Sequence, residues 1–275
     1  MRRGLAALVA LGLAGCGGGG SHPATPAAMQ TGAAPAIAPA PVSPLSAADA
    51  APAHATGATC TAGQVRKVTT RQAATVLYVT KPTVARRAPR SSAAKIVALA
   101  PRSVYHTRQV LLALEERVTP HCQPTWYRVR LPAKPNGITG WVPARGIVSD
   151  QTGTRIVVDL SARRLDLFQS GRRVLHVPTA IGHVETPTPT GSFYVDVRYK
   201  LTDPSGPYGP GLLGIAAYSE AAQGWAAGNP IAIHGTNAPS LIGTRASNGC
   251  IRVHNEDIVR IMKLAPTGTP VEIRA

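Results

Sequence analysis

Short β-type runs broken by Pro and Gly dominate two stretches of the chain, and some of them alternate apolar and polar residues, as strands with one buried face do. In the earlier stretch such runs lie at 75–79, 126–131 and 140–143. The segment 110–117 has helical propensity, but its apolar first half also fits a buried strand, and we favour the strand. Between the last two runs, the Asn136-Gly137 pair predicts a tight hairpin turn.

The later stretch continues this alternation on longer strands. Strands are predicted at 156–160, 164–168, 174–177, 192–198 and 268–273. Helical spacing of the apolar residues at 258–264 predicts one short helix. The Gly- and Pro-rich connection 203–214 is longer than a hairpin needs, and loops of this size are usually substrate-facing or disordered. We therefore expect a mainly β chain with a short helix near the C-terminus.

The N-terminal residues follow a different pattern. Arg2 and Arg3 precede a short apolar run, 5–14, that leads into Cys16 and resembles the lipobox of a bacterial lipoprotein signal. We predict a signal peptide at 1–16 with lipid on Cys16; an ordinary secretory signal is the alternative. Residues 17–59 are rich in Pro, Ala and Gly, which predicts a disordered tether. The protein is therefore expected to be exported and lipid-anchored to a membrane.

Positive charge is concentrated in residues 60–149, which contain fifteen Lys and Arg against two acidic residues. Residues 150–275 contain twelve against ten, so most of the formal net charge of +16 belongs to the earlier domain. An exported lipoprotein meets anionic wall polymers and lipid headgroups more often than nucleic acid. We expect those partners through the basic domain, with a merely soluble surface as the alternative, and no nucleic acid.

The remaining cysteines divide by position. Cys60 and Cys122 both lie in the basic domain, and an oxidising compartment predicts a disulfide between them; two buried free thiols are the alternative. Cys250 is then left without a partner. An unpaired cysteine in an exported protein requires a chemical explanation.

The basic domain carries a resemblance of its own. The segments 126–131, Asn136-Gly137 and 140–143 together resemble a bacterial SH3-like domain, which is a small β-barrel. The resemblance covers mainly the second half of residues 60–149. It implies a barrel at 60–149 followed by a separate β-rich domain at 150–275.

The later domain contains a histidine and the unpaired cysteine in a pattern that suggests catalysis. An apolar strand ends in His234-Gly235, and Cys250 follows sixteen residues later, after Ser247-Asn248-Gly249. A thiol of ordinary pKa is largely protonated at neutral pH, so a neighbouring imidazole is needed to make it a good nucleophile. The N–H groups of Gly249 and Cys250 are candidates to bind an oxyanion.

These residues resemble the active site of the L,D-transpeptidase (YkuD-type) family. The matching segments are 186–193, 234–237 and 250–252, which lie in register between about 155 and 273. The resemblance implies that a cysteine attacks the meso-diaminopimelate–D-alanine bond of a peptidoglycan tetrapeptide stem. D-Alanine leaves, a thioester forms, and an amine of a neighbouring stem resolves it into a 3→3 cross-link. It also implies a site facing the cell wall, in the periplasm or on the outer surface.

One position departs from the family pattern, which usually has histidine before Gly-Cys where this chain has Asn248. The family's base is the upstream histidine, which is His234 here, so we expect activity to be retained. Asn248 is expected to give a supporting hydrogen bond. Gly235 and Ser247 are expected to orient the loop, although Ser247 equally suits a simple turn cap.

Two further residues are assigned to substrate binding. Arg252 lies two residues after the nucleophile on an alternating strand, so its side chain points to the same side as Cys250. It is expected to bind a carboxylate of the stem peptide, or else to pair with Glu256 or Asp257. Tyr218 is expected to line the donor groove together with Trp225, although aromatic residues there are more often packing.

Other functions fit the sequence less well or remain open. A serine hydrolase would need a Gly-x-Ser-x-Gly elbow, and the sequence contains none. In NlpC/P60-type peptidases the cysteine precedes the histidine, and sortases have their arginine far downstream. An L,D-carboxypeptidase, in which water resolves the thioester, and a non-catalytic wall-binding lipoprotein remain alternatives. The histidine spacing does not predict a metal site, and no cofactor is expected.

Overall fold

The computed structural model describes residues 59–221 and 228–275. The predicted signal peptide 1–16 with Cys16, the tether apart from Thr59, and Trp225 lie outside these residues. Within the described ranges, no helix is both long and apolar enough to cross a membrane. The described chain is mainly β with one short helix near the C-terminus, which confirms the predicted fold class.

The first eight strands form one antiparallel sheet. Their bounds are β1 (Val65–Lys67), β2 (Ala74–Val79), β3 (Thr83–Arg86), β4 (Lys95–Leu99), β5 (Val110–Val118), β6 (Pro124–Arg130), β7 (Thr139–Pro143) and β8 (Ile147–Thr152). The strand order is β4-β3-β7-β6-β5-β2-β8, and β1 pairs with β5. The segment predicted at 110–117 is therefore the strand that we favoured. The SH3-like class of this sheet stays a prediction.

The second sheet follows almost at once. Its strands are β9 (Thr154–Asp159), β10 (Arg164–Gln169), β11 (Arg172–Pro178), β13 (Gly191–Lys200), β14 (Gly211–Tyr218), β15 (Pro230–His234), β17 (Ile251–Arg252) and β18 (Pro270–Arg274). The order is β11-β10-β9-β18-β13-β14-β15-β17. A separate parallel pair consists of β12 (Ile181–Gly182) and β16 (Arg245–Ser247), and the helix is α1 (Asn255–Leu264).

The change from one sheet to the other falls at Gly153, a few residues later than the boundary predicted after residue 149. β8 runs to Thr152, and its Asp150 pairs with Val76 on β2. β9 begins at Thr154. Because the last residues of β8 are hydrogen-bonded into the first sheet, we place the boundary between the two domains at Gly153.

Alternation along the strands builds the core of the second domain. Ile156 and Val158 of β9 and Val271 of β18 point inward to one buried cluster, where they join Ile258 and Ile261 of α1. Full burial of each such side chain stabilises the fold by about 1.5–3 kcal/mol. The helix covers the cluster because its apolar residues recur at the spacing of one helical face.

Three tyrosines join the second sheet to the first domain. The hydroxyls of Tyr194, Tyr199 and Tyr218 donate to the backbone carbonyls of Val110, Tyr105 and Pro132 at 3.1, 3.0 and 2.8 Å. Around them, Tyr194 and Ala216 pack with Val76 and Leu112 in one buried apolar cluster. The contact between the two domains is therefore both apolar and hydrogen-bonded.

The loop between β6 and β7 is longer than the tight hairpin predicted from Asn136-Gly137, since β6 ends at Arg130 and β7 begins at Thr139. The side chain of Asn136 donates to the carbonyl of Tyr218 at 2.7 Å and accepts from its N–H at 2.9 Å. Lys134 donates to the carbonyl of Ser219 at 3.0 Å. This loop therefore holds the end of β14, a contact that requires more residues than a two-residue turn.

A disulfide fixes the start of the first domain. Cys60 and Cys122 are bonded with an S–S distance of 2.06 Å, and their sequence separation is 62 residues. Cys122 lies in the turn between β5 and β6. The bond therefore ties the segment that enters β1 to the turn after β5, the strand with which β1 pairs.

Candidate active site

Two neighbouring parallel strands carry the predicted catalytic residues. β15 and β17 pair in a register that sets Ile233 beside Ile251 and His234 beside Arg252. Both isoleucines are fully buried in the core. Because successive side chains on a strand point to opposite faces, His234 and Arg252 lie on the other face of the sheet.

Cys250 immediately precedes β17 and belongs to that same face. Its thiol has a backbone hydrogen bond with Ala232, which lies two residues before His234 on β15. The residue is partly exposed and is the free cysteine of the described chain. The thiol is therefore one strand away from the histidine and two positions back along it.

The imidazole of His234 is fixed in one orientation. Its Nδ1 lies 2.6 Å from the carbonyl oxygen of Gly235, and the side chain is buried. A carbonyl oxygen only accepts, so Nδ1 carries the hydrogen of the neutral ring and Nε2 keeps its lone pair. Nε2 is therefore the nitrogen that can accept a proton from a substrate or a nucleophile.

Burial sets the protonation states of both groups. It lowers the pKa of His234 to about 4, against an opposing effect of the Gly235 hydrogen bond, and the charge of Arg252 lowers it further. Burial raises the pKa of the Cys250 thiol, although the hydrogen bond to Ala232 and the charge of Arg252 both oppose that rise. At neutral pH the pair is therefore an uncharged imidazole and a protonated thiol, the starting forms for general-base activation.

Arg252 brings the positive charge of the site. Its Nε is buried and has no hydrogen-bond partner within the described residues. The alternative ion pair does not form, because Asp257 pairs with Arg260 at 3.4 Å and Arg252 has no carboxylate partner in the described chain. An arginine left unpaired in this way suits an anionic group of a substrate.

Tyr208 is a residue of the site that the sequence prediction missed. Its ring contacts the His234 ring edge-on, with centroids 4.9 Å apart. Burial raises the pKa of its hydroxyl, the neighbouring Cys250 thiol raises it further, and Arg252 opposes the rise. Tyr208 lies in the connection 203–214, which the sequence predicted to be either substrate-facing or disordered. Its position in that loop was the one feature of the sequence that could have indicated a place in the site.

Ser247 holds the loop that leads to the nucleophile. Its hydroxyl donates to the carbonyl of Cys250 at 2.6 Å and accepts from the N–H of Gly249 at 3.2 Å. The N–H of Gly249 is thereby occupied, which changes the expectation that it binds an oxyanion. The N–H of Cys250 stays the candidate donor of that pair.

Gly235 is required because the chain packs closely around it. Its N–H is not free to bind an oxyanion, since it donates to the carbonyl of Gly211 at 3.3 Å. A Cβ at Gly235 would lie 2.4 Å from Oδ1 of Asn255, which accepts a hydrogen bond from the N–H of Thr236 at 2.7 Å. Only glycine allows this amide to approach the turn after His234.

Two predicted site residues make no direct contact with His234. Tyr218 pairs with Pro230, which lies four residues before His234 on β15, or about 13 Å at 3.3–3.4 Å per residue. Its hydroxyl takes part in the domain contact, and its place in a donor groove stays a prediction. Asn248 is exposed and forms no hydrogen bond within the described residues, so its supporting role stays a prediction.

The segment predicted from the motif 186–193 packs against the nucleophile loop. A Cβ at Gly249 would lie 3.5 Å from the carbonyl oxygen of Pro187. Gly182, which pairs with Ser247 of β16, also contacts this segment, and its N–H donates to the hydroxyl of Thr188 at 2.9 Å. Residues 186–188 therefore pack against both Gly182 and Gly249, and we call this double contact the clamp.

Replacing Gly182 by alanine is expected to destabilise the domain by about 1–3 kcal/mol and to slow acylation of Cys250. The new Cβ would lie 2.3 Å from the carbonyl oxygen of Thr186 and 2.6 Å from the N–H nitrogen of Thr188, so the backbone must move. Thermal unfolding and the rate of thiol acylation measure the two effects. Gly206→Ala is the control, since its Cβ meets only Asp203, at 3.4 Å or more. Equal behaviour of the two variants would contradict the clamp.

Comparison with known proteins identifies the second domain. Residues 153–273 match the family model of the L,D-transpeptidase catalytic domain, YkuD. The YkuD protein of Bacillus subtilis (strain 168) is 36% identical over 118 residues, which are 43% of this chain and 64% of that protein. The YkuD protein of Bacillus licheniformis is 38% identical over 119 residues, again 43% of this chain and 64% of that protein. The second domain of this chain is an L,D-transpeptidase catalytic domain.

This assignment applies to part of the chain and part of its relatives. The chain spans about 64% of the length of the two Bacillus proteins. A solved structure, an L,D-transpeptidase from Mycobacterium smegmatis, aligns with a TM-score of 0.37 at 16% identity, covering 55% of this chain and 90% of that chain. A superposition this weak carries no argument about the site.

Proposed function

We propose that the chain is a peptidoglycan L,D-transpeptidase that forms 3→3 cross-links through a thioester on Cys250. The observation that carries the proposal is the shared face of β15 and β17, which carries an uncharged His234, the free thiol of Cys250 and an unpaired Arg252 on neighbouring strands. The catalytic-domain match of residues 153–273 supports the same chemistry.

In the first half of the reaction Sγ of Cys250 attacks the carbonyl carbon of the meso-diaminopimelate–D-alanine amide. The thiol proton passes to Nε2 of His234, whose Nδ1–H stays bonded to Gly235. The negative charge that develops on the carbonyl oxygen is stabilised by the N–H of Cys250. When the carbon–nitrogen bond breaks, His234 returns the proton to the leaving amine and D-alanine departs.

In the second half an amine of a neighbouring stem attacks the thioester. The amine loses a proton to His234, the carbon–sulfur bond breaks, and the sulfur regains a proton as Cys250 thiol. The product is an amide between two stems. If water takes the place of the amine, the same steps release a tripeptide, which is the carboxypeptidase outcome.

Arg252 and Tyr208 are assigned to substrate positioning. Arg252 is expected to bind a carboxylate of the stem through its guanidinium, because no protein carboxylate within the described residues occupies it. Tyr208 covers one side of the imidazole and is expected to keep water away from His234. Exclusion of water favours the amine over hydrolysis as the second step.

The test is digestion of purified disaccharide-tetrapeptide with the full chain. The chain carries Cys16→Ser, which prevents lipid attachment at that position. The expected products are cross-linked dimers and free D-alanine, identified by chromatography and mass spectrometry. Cys250→Ala in the same background is expected to give neither, which controls for contaminating enzymes. Tripeptide without dimer would replace the proposal by a carboxypeptidase, and no turnover would support a non-catalytic wall-binding protein.

The proposed location follows from the N-terminal residues. Export followed by lipid attachment at Cys16 would hold the enzyme at a membrane, with residues 17–59 as the spacer to the wall. Peptidoglycan stems lie on the side of the membrane to which an exported protein is delivered.

A further inference from the structure

A second polar cleft lies on the outer face of the second sheet, several strands from the active site. It is about 160 Å³ in volume and is lined by Arg71, Arg155, Val157, Asp166, Phe168, Glu272 and Arg274. A single water has about 30 Å³ of liquid volume, so the cleft holds more than one solvent molecule. Arg71 precedes β2 in the first domain, whereas Arg155 and Arg274 belong to β9 and β18. The cleft therefore lies where the two domains meet.

Arg155 lines this cleft and stacks on an aromatic ring. Its guanidinium carbon lies 4.4 Å from the centroid of the Phe168 ring, which is a cation–π contact. Its Nη1 lies 3.6 Å from Oε2 of Glu272, beyond ordinary hydrogen-bond length, and the side chain of Glu272 is half exposed. The terminal nitrogens of this guanidinium therefore have donor capacity for a further acceptor.

The carboxylates around the cleft are largely engaged elsewhere. Asp166 is bonded to His176 at 2.6 Å and lies near Arg164 and Arg173. Asp159 accepts from Ser161, Ala162 and Arg274. The lining residues therefore comprise three arginines and two carboxylates. Arg71 forms no ion pair within the described residues. The formal charge of the lining is positive.

We propose that this cleft binds a phosphate group, with Arg71, Arg155 and Arg274 as the ligands. Forked guanidinium donors match the geometry of phosphate oxygens, and donors from three separate segments can surround one anion. Burial lowers the pKa of Arg155, repulsion from Arg71 and Arg274 lowers it further, and Glu272 opposes the fall. A bound anion relieves that repulsion. The phosphate belongs to an anionic envelope polymer or to a phospholipid headgroup, and both present the same phosphodiester chemistry.

The first experiment uses inorganic phosphate and the full chain carrying Cys16→Ser, with binding followed by isothermal titration calorimetry. Saturable binding is expected, and Arg155→Gln or Arg71→Gln is expected to weaken it about tenfold each. Arg71 is exposed, so its replacement leaves the core untouched. Arg90→Gln is the control, because this exposed arginine is not among the lining residues and its loss changes the net charge equally.

Two further arms identify the source of the phosphate. Vesicles of phosphatidylcholine with phosphatidylglycerol test the headgroup, and soluble poly(glycerol phosphate) tests the polymer. The ligand that loses affinity in Arg71→Gln but not in Arg90→Gln is the one that the cleft binds. If only inorganic phosphate shows that difference, the cleft binds small soluble phosphates. Absence of saturable phosphate binding, or equal weakening by Arg90→Gln, would overturn the proposal, whatever the result with peptidoglycan stems.

Discussion

His234→Ala is expected to slow the acylation of Cys250 by a carbapenem by about 10²–10⁴-fold. The reason is that the thiol is protonated at neutral pH, since burial raises its pKa, and Nε2 of His234 is the base that we propose for removal of the proton. Intact-protein mass spectrometry at timed intervals gives the rate of adduct formation. His121→Ala is the control, because His121 is an exposed histidine of the first domain. An adduct that forms at the wild-type rate without His234 would remove the histidine from the mechanism.

The pH dependence of that rate adds a second criterion. The pKa of His234 is lowered to about 4, so the imidazole is neutral and able to accept a proton at every pH well above 4. The wild-type rate is therefore expected to lose its base only as the pH falls towards 4, whereas an exposed histidine would lose it near its ordinary pKa of about 6.5. A loss of rate near pH 6.5 would show that burial does not lower the pKa of His234.

Removal of the disulfide by Cys60→Ser with Cys122→Ser is expected to lower the free energy of unfolding by about 4 kcal/mol. The bond closes a loop with a sequence separation of 62 residues, and its absence lets the unfolded chain sample many more conformations. Denaturant titration followed by tryptophan fluorescence measures the change. Cys250→Ser is the control, because it replaces a cysteine and leaves the disulfide in place. A loss below about 1 kcal/mol would mean that the bond adds little constraint.

Local patterns in the sequence were sufficient for most of the strands and for placing His234 and Cys250 close together. The apolar first half of 110–117 favoured the buried strand β5, and alternation predicted β10. His234 and Cys250 were singled out because a thiol nucleophile requires a nearby base, and the order His-Gly before Gly-Cys resembles one family. Their shared face then followed from the parallel pairing of β15 with β17.

Features that depend on distant contacts could not be predicted in the same way. β14 begins within a segment rich in Gly and Pro, so its pattern suggested a loop, and the hydrogen bond of Tyr218 to the first domain was not predicted. Tyr208 reaches His234 only because its loop folds back over the sheet. The cleft at Arg155 brings Arg71 together with Arg274, and no spacing in the sequence indicates that these residues line one cavity.

The tyrosine contacts between the domains also determine how the protein can be divided. A fragment cut at Gly153 would expose the ring of Tyr194 and the methyl group of Ala216, which are now covered by Val76 and Leu112. It would also leave three phenol groups without their carbonyl acceptors. Newly exposed apolar surface promotes self-association. The first domain thus covers apolar surface of the second, and a fragment that begins after Gly153 is expected to self-associate more readily than the full chain.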